Sequence, residues 1–156
     1  MNMPGIEQII ALYASYAACL DEQRFNDWPD FFTSDCVYRV IPRENHDAGL
    51  PLATISLSGV GGLRDRVYGV TSTLFHAPYY QRHIISLPCV KGADGEALLV
   101  ETNYLVLRTK RDQLSEVFNT GRYIDRIVMT DAGLKFAQKL CVFDSELIPN
   151  SLIYPI

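Results

Sequence analysis

Five side chains in this sequence are of the types that a proton-transfer site uses: Tyr13, Tyr16, Asp35, Tyr38 and His83. A carboxylate or imidazole would serve as acid or base and a hydroxyl would hold a developing oxyanion, each tuned by burial. Asp35 or His83 with a tyrosine would suit an isomerase or dehydratase. None of the five lies in a local signature, however, and a tyrosine on an amphipathic helix face ordinarily packs in a core with its hydroxyl paired. For a metal, His46, His76 and His83 would have to converge with a carboxylate into the open two-histidine, one-carboxylate iron site. His76 and His83 flank the Pro78-Tyr79-Tyr80 break and share no helical turn, so their ordinary role is as hydrogen-bonded loop and strand residues. No C-x-H or C-x-x-H pair is present to ligate an iron–sulfur cluster. Gly59, Gly61 and Gly62 lack the following G-K-[ST] of a phosphate-cradling loop. The sequence thus predicts no catalytic, cofactor-binding or metal-ligating residue on this chain.

Composition narrows the class. The 156 residues, 48% hydrophobic and 21% charged, suit one ordered globular domain spanning 1–156. Fourteen Lys and Arg against eighteen Asp and Glu leave a net charge of −4 with no basic run, which argues against a nucleic-acid partner. The start has no positive region before its apolar stretch, and no stretch reaches the ~20 apolar residues of a membrane span. Cys19, Cys36, Cys89 and Cys141 are widely spaced, as expected of reduced thiols in the cytoplasm.

The elements that must position these groups follow from periodicity. Apolar residues at Ile6, Ile9, Ile10, Tyr13, Tyr16, Ala17 and Leu20 predict an amphipathic helix over 4–22, with Pro4 in its first turn. Asn26 and Pro29 predict a short second helix burying Trp28, Phe31 and Phe32, ended by Thr33-Ser34-Asp35. Cys36 to Ile41 reads as a strand and 42–54 as a polar loop. A third helix fits Val60 to Ser72, capped by Ser58, with Leu63, Val67 and Val70 on one face and Arg64, Asp65 and Arg66 turned to water. Then come four β-runs: Gln81–Val90, Glu96–Lys110, Ser115–Thr130 and Leu134–Asp144. The last three are consecutive and antiparallel. In Glu96–Lys110, Leu99, Glu101, Asn103, Leu105 and Leu107 face one way and Val100, Thr102, Tyr104 and Val106 the other, so both faces require cover. Helices first and a meander after predict a segregated α+β domain with a mainly antiparallel sheet, and a strongly curved sheet wrapped round the helices would leave a cone-shaped cavity of the sort in which small-molecule sites occur.

Two features point outward. Arg82, Arg108, Arg122 and Arg126 on strands could pair with Asp125, Glu101 or Glu116 across the sheet, or serve a protein interface, where the planar guanidinium does more than lysine. Ten arginines against four lysines favour the second use. The tail carries Leu147, Ile148, Leu152, Ile153, Tyr154 and Ile156, too apolar to stay in water. It either folds back over its own sheet or joins a subunit contact.

In its motifs the chain resembles the small (beta) subunits of aromatic-ring-hydroxylating Rieske non-haem iron oxygenases, on the nuclear transport factor 2-like cone. The resemblance runs along nearly the whole chain, on D-x-x-x-x-x-D-W-P-D-F-F-T-S-D-C-V-Y-R-V from Asp21 to Val40, L-R-D-R-V from Leu63, Y-Q-R-H-I-I-S from Tyr80, N-Y-L-V-L-R from Asn103 and the ending L-C-V-F-D-S-E-L-I-P-N-S-L-I-Y-P-I. PRENHDAGLPLAT, LFHAPYYQRH and the C-terminal run look most similar to the salicylate 5-hydroxylase branch, with the terephthalate dioxygenase branch next. This resemblance implies a structural subunit assembled with a large (alpha) subunit, three of each, and with like subunits. It implies that the Rieske [2Fe-2S] cluster and mononuclear Fe(II) sit on the large subunit. A ferredoxin and an NADH-dependent reductase would supply electrons for hydroxylating an aromatic acid with O₂, salicylate to gentisate in the nearest branch. Arg82, Arg108, Arg122, Arg126, Leu152, Ile153, Tyr154 and Ile156 would then be subunit-interface positions.

Overall fold

A computed structural model of the chain describes residues 4–147 and 152–156. Helix α1 (Ile6–Asp21) starts at Gly5, whose N–H is accepted by the Gln8 side chain, so Pro4 precedes the helix and does not open it. Its buried face is Ile9, Leu12, Tyr13, Tyr16, Cys19 and Leu20, while Ile6 and Ile10 stay exposed. The expected second helix is a single 3₁₀ turn (Trp28–Phe31) capped at Asp27, one residue later than Asn26. Thr33-Ser34-Asp35 does not follow it as a stop, because strand β1 (Phe32–Pro42) already begins at Phe32. Within the expected loop 42–54 lies a short helix, α2 (Arg43–Asp47), and strand β2 (Ile55–Ser58) follows unforeseen. The third helix is α3 (Gly59–Tyr68), continuing through a wider π turn to Thr73, with Leu63, Val67 and Val70 buried as expected.

The first β-run divides into β3 (Tyr79–Ile85) and β4 (Cys89–Asp94), with Pro88 beside the break. Strands β5 (Ala97–Lys110), β6 (Glu116–Thr130) and β7 (Gly133–Phe143) form the expected antiparallel meander. The strand order is β2-β1-β7-β6-β5-β3, with β4 pairing β5 beside β3. Every pairing is antiparallel except β1 with β7, which is parallel and makes the sheet mixed. A parallel pair requires a crossover, and the whole of α2 to β6 supplies it.

Register shifts between Phe32 and Val37, Val106 and Leu107, and Arg126 and Ile127 bend three of the ladders. The sheet consequently curls round α1: Tyr16 meets Phe32 of β1, Phe136 of β7 and Tyr123 of β6, and Asp21 reaches His83 of β3. One hydrophobic core runs from Ile9 through the inward positions of β1, β5, β6 and β7 to Ile156. Among the described residues no helix is long and apolar enough to cross a membrane.

Candidate functional site

Inside the curl the inward phase of two neighbouring strands carries opposite charges. Asp125 of β6 is the register partner of Lys139 of β7, and Lys139 Nζ donates to Asp125 Oδ2 at 2.9 Å. Tyr13 donates to the same oxygen at 2.5 Å from α1. The ammonium lies 3.5 Å from the Tyr123 ring centroid, 4.4 Å from Phe136, 4.6 Å from Tyr16 and 4.9 Å from Tyr13. Rings with negative faces replace part of the hydration that the cation loses. Both charged side chains are wholly excluded from solvent. Burial raises the Asp125 carboxyl above its ordinary value against the pull of Lys139, and the Tyr13, Tyr16, Tyr104 and Tyr123 phenols are pushed up by the same cause. Burial also pushes the Cys141 thiol up to about 12. A general base works near its operating pH and within reach of substrate, and this sealed cluster provides neither.

Of the residues marked out for proton transfer, Tyr13 and His83 line one cavity of about 200 Å³ between α1 and β3, and Tyr16 and Tyr38 meet at the Ile156 carbonyl, but among the described residues no hydrogen bond joins His83 to a tyrosine. Asp35 is exposed on β1, outside the curl. His83 is inside, its Nδ1 2.6 Å from Asp21 Oδ1 and its backbone N–H donating to both Asp21 oxygens, with its side chain fully buried. Tyr38 is occupied too: its hydroxyl donates to the Ile156 carbonyl at 3.0 Å and accepts from the Ile156 N–H at 3.0 Å.

The residues do not fit a metal either. His46 bonds Asp47, His76 bonds Tyr154 and the Leu74 carbonyl, and His83 bonds Asp21, each in a separate part of the fold. Among the described residues no group of three or more His, Cys, Asp or Glu could hold a metal ion. All four cysteines are free thiols.

The described tail, 152–156, enters the curl. Leu152, Tyr154 and Ile156 are buried, and the polar contacts of its backbone run to side chains. Arg66 Nη2 donates to the carbonyls of Leu152 and Ile153, both at 2.7 Å, so Arg66 faces the tail and not water. Tyr154 N–H donates to the Tyr79 hydroxyl at 3.2 Å, and Tyr16 donates to the Ile156 carbonyl at 2.8 Å. The Tyr154 ring packs between Tyr79, at 4.3 Å, and Phe25, at 4.8 Å. Of the two readings of the tail, folding back holds for Leu152, Tyr154 and Ile156: side chains buried in their own chain offer no outer surface. Ile153 is half-buried, Leu147 is exposed, and Ile148 lies outside the described residues.

Of the four strand arginines, Arg108 also points inward. It is buried over the Phe118 ring at 4.3 Å and donates to Glu116 Oε1 at 2.6 Å through Nη2, because its register partner Gln81 lies on the inward phase of β3. Arg82, Arg122 and Arg126 face outward. Arg122 approaches Glu101 at 3.9 Å and Asp47 at 3.7 Å, and Arg126 pairs with Asp94 at 2.6 Å. Of the cross-sheet pairings open to these arginines, Arg108 meets Glu116 and Arg122 approaches Glu101, whereas Asp125 pairs with Lys139. That pair was readable in the sequence as a charge in the apolar phase of each strand, Asp125 between Tyr123 and Ile127 and Lys139 before Cys141.

Comparison with known proteins gives the same architecture. A family model described as a SnoaL-like domain matches residues 3–139. The anthranilate 1,2-dioxygenase small subunit of Burkholderia cepacia is 35% identical over 150 residues, 96% of this chain and 92% of that protein. Subunit beta 2 of the terminal oxygenase component of terephthalate 1,2-dioxygenase from a Comamonas species is 31% identical over 96% of this chain and 97% of its own. A crystal structure from Novosphingobium aromaticivorans, described as the beta subunit of an aromatic-ring-hydroxylating dioxygenase, superposes with a TM-score of 0.87 at 33% identity, covering 96% of this chain and 95% of that one.

Proposed function

The chain belongs to the family of small subunits of aromatic-ring-hydroxylating dioxygenases, built on a SnoaL-like domain, and from that premise we propose that it is the non-catalytic, scaffolding subunit of a multicomponent oxygenase acting on an aromatic acid. The observation that carries the scaffolding role is the filled interior. Lys139, Asp125 and the tail residues Tyr154 and Ile156 occupy the space in which a cone-fold enzyme would need a substrate cavity. The Rieske cluster and the mononuclear iron then belong to the large subunit, and electrons arrive from NADH through a reductase and ferredoxin.

Salicylate, converted to gentisate, is the substrate this reading assigns. Anthranilate, named for one relative, is likewise a benzoate with a polar ortho substituent, which supports the assignment. Three small and three large subunits, a cytoplasmic location consistent with four free thiols, and one domain spanning 1–156 complete the reading. Arg82, Arg122, Arg126 and Ile153 are the interface positions that remain available outside the core, since arginines flanked by apolar groups are typical of contact cores.

Co-expression with a large subunit from the same source tests the proposal. The two chains should co-purify, and gentisate should form from salicylate only when both are present with the electron-transfer components. A small subunit that converts salicylate alone, or that never joins the large chain, would refute the scaffolding role. Conversion of a different aromatic acid by the complex would remove only the substrate assignment.

A further inference from the structure

The cavity of about 200 Å³ between α1 and β3 has apolar walls: Ile10, Ala14 and Ala17 share one face of α1, and Ile85, Leu87 and Pro88 close it from β3 and the link to β4. The two alanines leave room that larger side chains would fill. Ile10 and Leu87 are exposed, so the mouth opens to water. Three polar side chains also line it, and two of them are engaged. The Tyr13 hydroxyl donates to Asp125, and the Ser86 hydroxyl accepts from the Asn103 N–H at 3.0 Å and lies 3.0 Å from Thr102 Oγ1. The third is His83, whose side chain is fully buried and whose Nε2 has no hydrogen-bond partner among the described residues.

Asp21 decides what that nitrogen can do. Both Asp21 oxygens accept from the His83 backbone N–H, at 3.1 and 3.0 Å, and Oδ1 stands 2.6 Å from Nδ1. A carboxylate that only accepts places the ring proton on Nδ1, so Nε2 of the neutral ring carries a lone pair. The two nitrogens leave the ring in nearly opposite directions, which turns Nε2 away from Asp21. A buried acceptor left unpaired is costly, and a ligand that donates to it recovers the loss.

Size and charge select that ligand. An apolar cavity of ~150 Å³ holds a benzene ring, so this one has room for a ring with a small substituent. No lysine or arginine lines it among the described residues, and its histidine is already tied to a carboxylate. An anionic ring would lose its hydration there without gaining a counter-charge. An uncharged ring bearing a hydroxyl meets the apolar walls and supplies the missing donor. We infer that this cavity is a binding site for a small neutral phenol, whose hydroxyl donates to His83 Nε2. The inference goes beyond the scaffolding role and does not depend on it.

Calorimetric titration of the full-length chain with phenol, benzene and benzoate, joined to the nitrogen NMR spectrum of the His83 ring, is the test. Phenol should bind with a dissociation constant on the order of a millimolar or below. Benzene should bind roughly three- to tenfold more weakly, the worth of one net hydrogen bond, and benzoate should not bind measurably. Phenol should move the Nε2 resonance of His83, and benzoate should leave it in place. His83→Phe should bring phenol down to the level of benzene. Ala14→Leu, at an exposed position of the wall, should weaken both ligands with an unchanged thermal midpoint, and decides the matter even where His83→Phe fails to fold. Phenol binding no tighter than benzene, benzoate binding as tightly as phenol, or a Nε2 resonance that phenol does not move overturns the inference, while leaving the scaffolding role standing.

Discussion

Lys139 Nζ and Asp125 Oδ2 stand 2.9 Å apart with neither side chain touching solvent, in a box formed by Tyr13, Tyr16, Tyr123 and Phe136. Removing one member of a buried pair strands the other charge at a cost of about 3–5 kcal/mol, whereas replacing both with apolar residues of similar volume is often neutral. Lys139→Met should therefore destabilise the chain by roughly that amount, and Lys139→Met with Asp125→Leu by clearly less. Urea denaturation of the three chains measures it. Equal losses for the single and double variants would mean that the pair does not act as a unit.

The tail is held by ring packing and by side-chain hydroxyls. Tyr154→Ala should cost about 3–5 kcal/mol, the usual range for truncating a large buried side chain, because Phe25 and Tyr79 lose the ring between them. Tyr38→Phe should cost about 1–3 kcal/mol by leaving the buried Ile156 N–H unpaired. Equilibrium unfolding decides both, and a stable Tyr154→Ala chain would mean that the tail contributes nothing to the core.

Gly121 pairs with Tyr104 on one side and Phe143 on the other, and a Cβ there would run into the Val142 carbonyl. The obstacle is backbone, which cannot rotate aside. Gly121→Ala should destabilise by roughly 3 kcal/mol, the upper part of the range for overpacking, with the loss visible as a lowered thermal midpoint.

Acid stability should depend on Glu116 more than on Asp125. The hydrogen bond and charge of Arg108 hold the Glu116 carboxyl below its ordinary 4.5. Its contribution is thus present above that value and lost as pH falls through the lower, folded one. Asp125 has the opposite sign, since burial lifts it above 3.8 and the folded state takes up its proton first on acidification. Between roughly pH 3 and 7, stability of Glu116→Gln should fall less steeply with acid than that of the parent chain. An unchanged slope would remove Glu116 from the account.

Sequence alone determined α1, the β5–β6–β7 meander and the segregated α+β class, because apolar periodicity and the Asp94-Gly95 and Ala132-Gly133 turns are local signals carried within a few residues. It also marked the absence of metal-ligating motifs and, through the order of its motifs, the family. Tertiary structure decided what depends on distant register: that β1 lies parallel to β7, that Arg108 and Lys139 face inward while Arg82, Arg122 and Arg126 face out, that His83 answers to Asp21, and that Tyr154 and Ile156 end in the core. A strand's period says which residues share a face. Only its pairing and bulges, set by contacts across more than a hundred residues between Tyr16 or Tyr38 and Ile156, say which face is the inside.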